Sequence, residues 1–178
     1  ALMYLFRFCE KQFDGSPVLM ILDEAWVFLK NEAFAKKIAE WLKTLRKKNV
    51  FCVFATQEID DAAKSPVAST IISQCASKVY TADDSAMTSV IYDSYKKFGL
   101  ERSEIELISN AQKKRDYFYK STLGTRLFQL NLDEIQLAIL TNNAEDQKKL
   151  DKLEKKYGRN TGKPLVKEIL KMKGLSLN

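Results

Sequence analysis

Two continuous apolar runs mark the first third of the chain, Val18 to Leu22 and Val50 to Ala55. Each is short and bounded by polar or turn-forming residues, a pattern typical of strands buried on both faces of a parallel sheet. Between them, residues 32–48 carry apolar side chains at helical spacing: Phe34, Ile38, Trp41, Leu42 and Leu45. The sequence therefore predicts a strand, a helix and a second strand in succession.

The remaining pattern continues this alternation and then changes. We expect a first helix at 2–13, with Leu2, Leu5, Phe6 and Cys9 on one face, then a turn at 14–17, helices at 67–76, 84–98 and 103–111, and a short third strand at 78–80. Alternating residues around Leu123-Gly124 predict a hairpin, and residues 143–157 and 163–173 predict lysine-rich helices. The predicted fold class is α/β with a mainly parallel sheet, a late hairpin and C-terminal helices. The predicted domains are 1–142 and a basic helical tail at 143–178.

Polar residues follow both apolar runs at the point where each strand ends. Asp23-Glu24 follows the first run and Thr56-Gln57 follows the second. Ligands of parallel sheets bind beyond the carboxyl ends of the strands, so these four residues are expected to converge on one edge.

An apolar strand that ends in Asp-Glu is the Walker B pattern of P-loop ATPases. In that interpretation Asp23 binds Mg²⁺ through water, because magnesium dehydrates reluctantly, and Glu24 polarises the water that attacks the γ-phosphate. Gln57 then occupies a sensor position between the γ-phosphate and the attacking water, with Thr56 beside it. The alternative for Asp23-Glu24 is a helix-capping turn. The alternative for Thr56 is that it caps a short helix at 58–63, which is compatible with the sensor role.

Composition narrows the possible chemistry. The 178 residues include no histidine, which excludes His-based catalysis and most catalytic zinc sites. Three cysteines stand far apart without a CxxC pair and are expected to be core side chains. The net charge is +6, and residues 145–178 hold ten basic and five acidic residues, so nearly all of the excess lies in the tail. This tail is interpreted as a solvated face, with contact to a partner or a lipid surface as the alternative.

The ordered motifs resemble one family. The chain is similar to the conjugal-transfer ATPases of type IV secretion, the VirB-type motors of the TrbE, TraC and CagE kind. The similar segments are, in order, Val18 to Trp26, Leu42 to Asn49, Phe54 to Gln57, Ser65-Pro66 and Tyr117 to Leu130. Thr122 stands where proline is commoner in that family. The resemblance implies a RecA-like P-loop NTPase core, ATP and Mg²⁺ as cofactors and a hexamer or dimer. It also implies other secretion ATPases and inner-membrane channel components as partners, at the cytoplasmic face of the bacterial inner membrane.

One motif of that family is missing. No GxxxxGK[ST] phosphate loop occurs in the 178 residues. The chain is therefore expected to be the C-terminal part of a motor domain, or the product of a truncated gene. The resemblance implies that the missing part supplies the phosphate cradle, its lysine, and a central strand between the strands near 50–56 and 78–80.

Four further side chains have two interpretations each. The resemblance implies that Arg46 is a finger that reaches the nucleotide of a neighbouring subunit, whereas a solvated arginine near a helix C-terminus is the alternative. Arg126 on the hairpin is a candidate for approaching a phosphate, or for a surface ion pair. Trp26 and Trp41 are expected in the core or at a subunit contact.

The favoured function is an ATPase motor subunit that energises secretion or pilus assembly. A DNA-translocating motor of the coupling-protein or FtsK type would share the same catalytic residues, and direct DNA binding is left open. A non-catalytic interaction module is the third possibility, for a chain that acts without a phosphate loop.

Overall fold

A computed structural model describes residues 2–24, 31–140, 143–158 and 162–175. The chain divides into two compact units, Ala1–Gln129 and Leu130–Asn178. The first unit contains, in order, α1 (Leu2–Lys11), β1 (Val18–Leu22), α2 (Glu32–Thr44), β2 (Val50–Phe54), α3 (Ile59–Lys64), α4 (Ala68–Gln74), β3 (Lys78–Thr81), α5 (Ser89–Lys97), α6 (Arg102–Asn110), β4 (Asp116–Ser121) and β5 (Gly124–Gln129). The second contains α7 (Glu134–Leu140), α8 (Ala144–Tyr157) and α9 (Lys163–Met172). The described helices and strands confirm the α/β class.

Strands β1 and β2 form a two-stranded parallel sheet, in register from Val18 opposite Val50 to Leu22 opposite Phe54. Helix α2 connects them and is capped by Asn31, whose side chain accepts hydrogen bonds from two backbone N–H groups of the first turn. A 3₁₀ turn, Leu45–Lys48, follows α2 and ends at Asn49 in the left-handed conformation (φ 59°). This short connection returns the chain to the start of β2, as a βαβ unit requires.

One face of this sheet is covered and the other is open. The covered face packs against α1 and α2 around the buried side chains Phe6, Ile38, Trp41, Leu45 and Val50. On the opposite face Leu19, Ile21 and Phe51 are 62%, 63% and 72% exposed. The prediction that both strands are buried on both faces is therefore wrong for the described chain. Parallel sheets are covered on both sides by crossover helices, and α2, the described crossover, covers one side only.

The third strand does not extend the parallel sheet. Strand β3 pairs antiparallel with β4, and β4 pairs antiparallel with β5, in a separate three-stranded sheet of order β3-β4-β5. The expectation of one mainly parallel sheet with an independent hairpin is corrected in this respect. The hairpin itself is confirmed, with Thr122 and Leu123 as its turn before Gly124, whose φ of 137° favours glycine.

Helices α2 to α6 and the three-stranded sheet enclose the larger core. Its fully buried side chains include Leu100, Ile105 and Ile108, with Phe118 of β4 at 2% exposure. At its margin Lys120 forms an ion pair with Glu104 at 2.7 Å, with both side chains largely buried.

Helix α1 contributes fewer buried side chains than expected: Phe6 is buried, but Leu5 is 52% exposed and does not belong to the packed face.

The second unit is helical. Asn143 caps α8 by accepting hydrogen bonds from the N–H groups of Glu145 and Asp146. Lys173, at the end of α9, forms an ion pair with the buried Asp146 carboxylate, and Leu170 is fully buried. No helix of the described ranges is long and apolar enough to span a bilayer.

The tryptophan and cysteine predictions have different outcomes. Trp41 is a core residue, as expected: it is 2% exposed, and its indole Nε1 donates to the Glu10 carboxylate at 2.5 Å. Trp26 lies outside the described residues. The cysteines are half-buried and not disulfide-bonded, and burial raises the pKa of the Cys52 thiol to about 11.

Tyr80, on β3, carries a polar atom that the core does not satisfy. Its ring packs 5.7 Å from the ring of Tyr95 and 6.5 Å from that of Phe118. Its hydroxyl is buried and has no hydrogen-bond partner in the described part of the chain. Tyr95 differs, because its hydroxyl donates to Asp83 at 3.0 Å. Burial raises the pKa of both phenols, so both stay neutral.

We predict that Tyr80→Phe raises the free energy of unfolding by about 1 kcal/mol, because it removes a desolvated hydroxyl without breaking a hydrogen bond. The matched variant Tyr95→Phe removes a satisfied hydroxyl and should lower the same quantity by about 1.5–3 kcal/mol, since its acceptor is charged. Urea unfolding followed by fluorescence measures both. Equal destabilisation by the two variants would contradict the assignment of Tyr80 as unsatisfied.

Candidate functional site

The parallel pairing of β1 and β2 brings two strand ends to one edge of the sheet. The ladder continues one step beyond the strands, where the Ala55 N–H donates to the Leu22 carbonyl at 2.9 Å. Asp23 follows Leu22 and Thr56 follows Ala55, so both chains leave the sheet side by side. The expected convergence of polar residues is present at this edge.

A direct hydrogen bond connects the two strand ends. The Gln57 amide Nε2 donates to Glu24 Oε1 at 3.1 Å, although 33 residues separate them along the chain. Asp23 Oδ1 accepts the backbone N–H of Glu24 at 2.9 Å. Asp23, Glu24 and Gln57 are exposed and Thr56 is half-buried, so the cluster is open to a ligand from solvent.

Glu24 has a backbone conformation that few glutamates adopt. Its φ is 50°, in the left-handed region, which costs a residue with a Cβ roughly 1–2 kcal/mol. The hydrogen bond from its N–H to Asp23 supports this conformation, and the turn aims the Glu24 side chain at Gln57. Such strained residues cluster at functional sites, and periodicity alone gave no signal for this one.

Thr56 does not cap the following helix. Helix α3 begins at Ile59, its N-cap residue is Glu58, and Glu58 makes no side-chain capping hydrogen bond. The Thr56 hydroxyl instead donates to the Glu58 backbone carbonyl at 3.3 Å. The capping interpretation of Thr56 is therefore wrong.

The donor set at this edge fits a hydrated magnesium ion. Among the described residues, Oδ2 of Asp23 and Oε2 of Glu24 accept no hydrogen bond, so each carboxylate presents a hard oxygen to solvent. No group of three or more metal-binding side chains occurs in the described ranges. An ion held here would keep most of its water or take its other ligands from a substrate phosphate, as magnesium commonly does.

Arg46 lies at the opposite end of the strands. It belongs to the 3₁₀ turn before β2, and β2 runs from that turn toward Gln57. The five residues of β2 alone separate the two ends by about 16 Å. Arg46 lines an open hollow of about 370 Å³ together with residues at the starts of β1 and β2, namely Pro17, Val18, Leu19, Asn49, Val50 and Phe51. It is exposed and, within the described chain, has no carboxylate partner. The structure does not bring Arg46 to the Asp23–Gln57 edge of its own chain.

Arg126 lies on the other sheet. It is on β5, opposite Tyr119 of β4, and its side chain is exposed. Within the described residues it makes no ion pair and no hydrogen bond to Asp23, Glu24 or Gln57. The surface ion pair considered for it is absent from that part of the chain, and its role at an ATP phosphate stays a prediction.

Comparison with known proteins gives a consistent family assignment. A family model described as the TraG P-loop domain matches residues 2–169. The chain is 38% identical over 159 residues to a probable conjugal transfer protein TrbE of Sinorhizobium fredii, covering 89% of this chain and 24% of that protein. It is 38% identical over 158 residues to conjugal transfer protein TrbE of Rhizobium radiobacter, covering 88% of this chain and 19% of that relative. It is 30% identical over 162 residues to type IV secretion system protein virB4 of Bartonella henselae, covering 88% and 20% of the two chains.

The chain thus spans about a fifth to a quarter of the length of these relatives. The match to the family model extends over both units of the fold and includes the strands that carry Asp23, Glu24 and Gln57. Taken with the paired strand ends, this coverage shows that the chain belongs to the family of the TraG P-loop domain.

Proposed function

We propose that this chain supplies the carboxylate side of an ATP-hydrolysing site in a motor subunit that energises type IV secretion or conjugation. The observation that carries the proposal is the Gln57–Glu24 hydrogen bond at 3.1 Å, which links the ends of two parallel strands at one sheet edge. The names of the relatives, which are conjugal transfer and type IV secretion proteins, support the biological setting.

Asp23 and Glu24 have separate roles in this proposal. Asp23 would hold a magnesium ion through water, and the ion would supply positive charge against the triphosphate when ATP is bound. Glu24 accepts a hydrogen bond from the attacking water and takes up its proton as the water adds to phosphorus.

Gln57 positions both the base and the water. Its amide N–H already holds one oxygen of Glu24, which leaves the amide carbonyl to accept from the water. Thr56 lies on the same strand end, where its hydroxyl is in reach of a phosphate oxygen once it leaves the Glu58 carbonyl. Phosphoryl transfer depends chiefly on such positioning.

The free edges of the two sheets suggest where the rest of the domain fits. Strand β2 pairs only with β1, and β3 pairs only with β4, among the described strands. A strand that entered between β2 and β3, followed by a phosphate loop and a helix, would complete a RecA-like sheet. The helix would cover Leu19, Ile21 and Phe51, which now lie exposed. Its loop would then meet Glu24 and Gln57 at the same edge.

The whole protein is proposed to work as a hexamer or dimer. Arg46, distant from the carboxylates of its own chain, is free to act at the nucleotide of a neighbouring subunit. Other secretion ATPases and inner-membrane channel components are the proposed partners, at the cytoplasmic face of the bacterial inner membrane.

A different function follows if the chain acts without a phosphate loop. The Asp23–Gln57 edge then has no cradle for a triphosphate, and the exposed face of β1 and β2 becomes an interaction surface instead. The free strand edges and this apolar face are the observations that favour the alternative. ATP turnover by a protein that joins this chain to a phosphate loop distinguishes the two functions: turnover that depends on Glu24 supports the first, and absence of turnover supports the second.

We predict that Glu24→Gln lowers the rate of ATP hydrolysis at least about 100-fold in a protein that contains this chain and a phosphate loop. ATP affinity should be retained, because Asp23 and the phosphate loop are unchanged. Steady-state turnover and equilibrium nucleotide binding measure the two effects separately. The control is Glu58→Gln, which removes an exposed carboxylate one residue beyond Gln57, and should leave turnover unchanged. Normal turnover in Glu24→Gln would show that Glu24 is not the base.

We predict that Arg46→Ala lowers hydrolysis only in the assembled protein, because a finger supplied by a neighbour acts at a subunit interface. Lys47→Ala, the next exposed cation in the same 3₁₀ turn, is the control. Mixing inactive Arg46→Ala subunits with inactive Asp23→Asn subunits should restore part of the turnover, because some interfaces then combine an intact arginine with an intact carboxylate. No recovery on mixing, with an equal defect in monomers, would contradict a role between subunits.

We predict that the 178-residue chain alone binds magnesium-ATP weakly or not at all and does not hydrolyse it. A triphosphate is bound by backbone N–H groups of the glycine-rich loop and by the lysine of that loop. This sequence contains no such loop. Two carboxylates without those positive groups repel the phosphates. Calorimetric titration with magnesium-ATP is the measurement, and micromolar affinity would reveal a phosphate site of another kind.

A further inference from the structure

The three-stranded sheet has an aromatic face directed away from the core. Register pairs share a side of the sheet, and Tyr80, Phe118 and Leu127 lie on the side that meets the core. The neighbouring positions therefore lie on the opposite side. We define the aromatic face as Val79, Tyr117, Tyr119, Arg126 and Phe128.

The aromatic side chains of this face are arranged across strands. The rings of Tyr117 and Phe128 stack at 5.6 Å between centroids with 26° between their planes. The Tyr119 hydroxyl lies 3.0 Å from that of Ser77, which fixes the ring at the next step along β4. All three rings are half-buried, and Val79 beside them is 56% exposed. Part of each ring is thus in contact with solvent.

The segment that forms β4 and β5 carries a positive net charge. Residues 112–129 contain five basic residues and one acidic residue, a net charge of +4. Two of the five basic side chains are in ion pairs: Lys113 pairs with Asp84, and Lys120 pairs with Glu104. The others, Lys114, Arg115 and Arg126, are exposed and form no ion pair within the described residues. No position of the aromatic face is acidic.

From this combination we propose that the aromatic face binds single-stranded nucleic acid, which goes beyond the proposed ATP site. Rings that reach the surface of a β-sheet stack with unpaired bases, and every base offers a π-face for such contact. Arg126, opposite Tyr119 on the same face, contacts the phosphate backbone or stacks on a base. Recognition of this kind is independent of sequence.

A duplex fits this face less well. Bases in a duplex are already stacked and offer only their edges in the grooves, so the rings of Tyr117, Tyr119 and Phe128 would have no bases to stack on. A separated strand presents both phosphate and open bases. The alternation of Tyr117 and Tyr119 with buried residues is visible in the sequence, but it identifies this face only once β4 and β5 are paired with Arg126 opposite Tyr119.

The test is fluorescence anisotropy of labelled oligonucleotides, deoxythymidine and uridine homopolymers of about 15 nucleotides, titrated with the 178-residue chain at several salt concentrations. Phe128→Leu should weaken binding about tenfold, since a stacked base contributes about 1–3 kcal/mol. Arg126→Gln should reduce the slope of log K against log salt by roughly 0.7, the value for one phosphate contact on a single strand. Comparing the two polymers separates DNA from RNA as the natural ligand.

The control variants remove an arginine and an aromatic ring elsewhere on the first unit. Arg7→Gln removes an exposed arginine of α1 that forms no ion pair in the described ranges, and Tyr4→Leu removes a 75% exposed ring of the same helix. Both should leave affinity and salt slope unchanged. Thermal unfolding checks each variant, and if Phe128→Leu does not fold, the exposed Arg126→Gln decides the question.

Four results would overturn the proposal. They are absence of binding, equal weakening by the control variants, equal affinity for a duplex of the same length, and binding of anionic phospholipid vesicles through the same residues. If ATP displaces the oligonucleotide from the original chain but not from Arg126→Gln, Arg126 binds the phosphates of ATP instead. Because the ATP-site variant Glu24→Gln should bind the oligonucleotide normally, failure of this proposal and failure of the ATPase proposal are distinguishable.

Discussion

The in-register parallel pairing of β1 with β2 is the constraint on which the candidate site depends. It places Leu22 opposite Phe54, so the residues after each strand emerge at the same edge. A shift of one residue would turn every side chain of one strand to the other face and would move Gln57 away from Glu24. The covered face prevents this shift, because Met20, Cys52 and their neighbours pack under Trp41 and Ile38. Core packing on one side of the sheet therefore sets the geometry of the polar edge.

The two sheets of the first unit leave different surfaces open. The parallel pair exposes an apolar face and, among the described strands, a free edge, both of which suit burial under further protein. The antiparallel sheet presents half-buried rings and an exposed arginine, which suit a ligand with its own π-faces and charge. Both surfaces come from apolar or aromatic residues at every second position, and their neighbours decide what each can bind.

Much of the site was predictable because strand ends are visible in sequence. A continuous apolar run followed by Asp23-Glu24, and a second followed by Thr56-Gln57, requires only that the strands be parallel for the polar residues to meet. The open face of β1 was not predictable, because a buried strand and a half-covered one have the same apolar sequence. The pairing of β3 with β4 was also missed, since a four-residue strand carries no signal for the direction of its partner. The left-handed backbone of Glu24 was missed as well, because the spacing of apolar residues does not predict the backbone conformation of a residue in a turn.

The conformation of Glu24 has a consequence for how variants of this domain would respond to selection. At a φ of 50°, glycine or asparagine would occupy the position with less strain than glutamate. Laboratory evolution for thermal resistance alone should therefore favour loss of the Glu24 carboxylate, whereas evolution for turnover should retain it despite the strain. Position 24 is thus a point at which stability and activity diverge, and engineered thermostable libraries of this domain should keep it fixed.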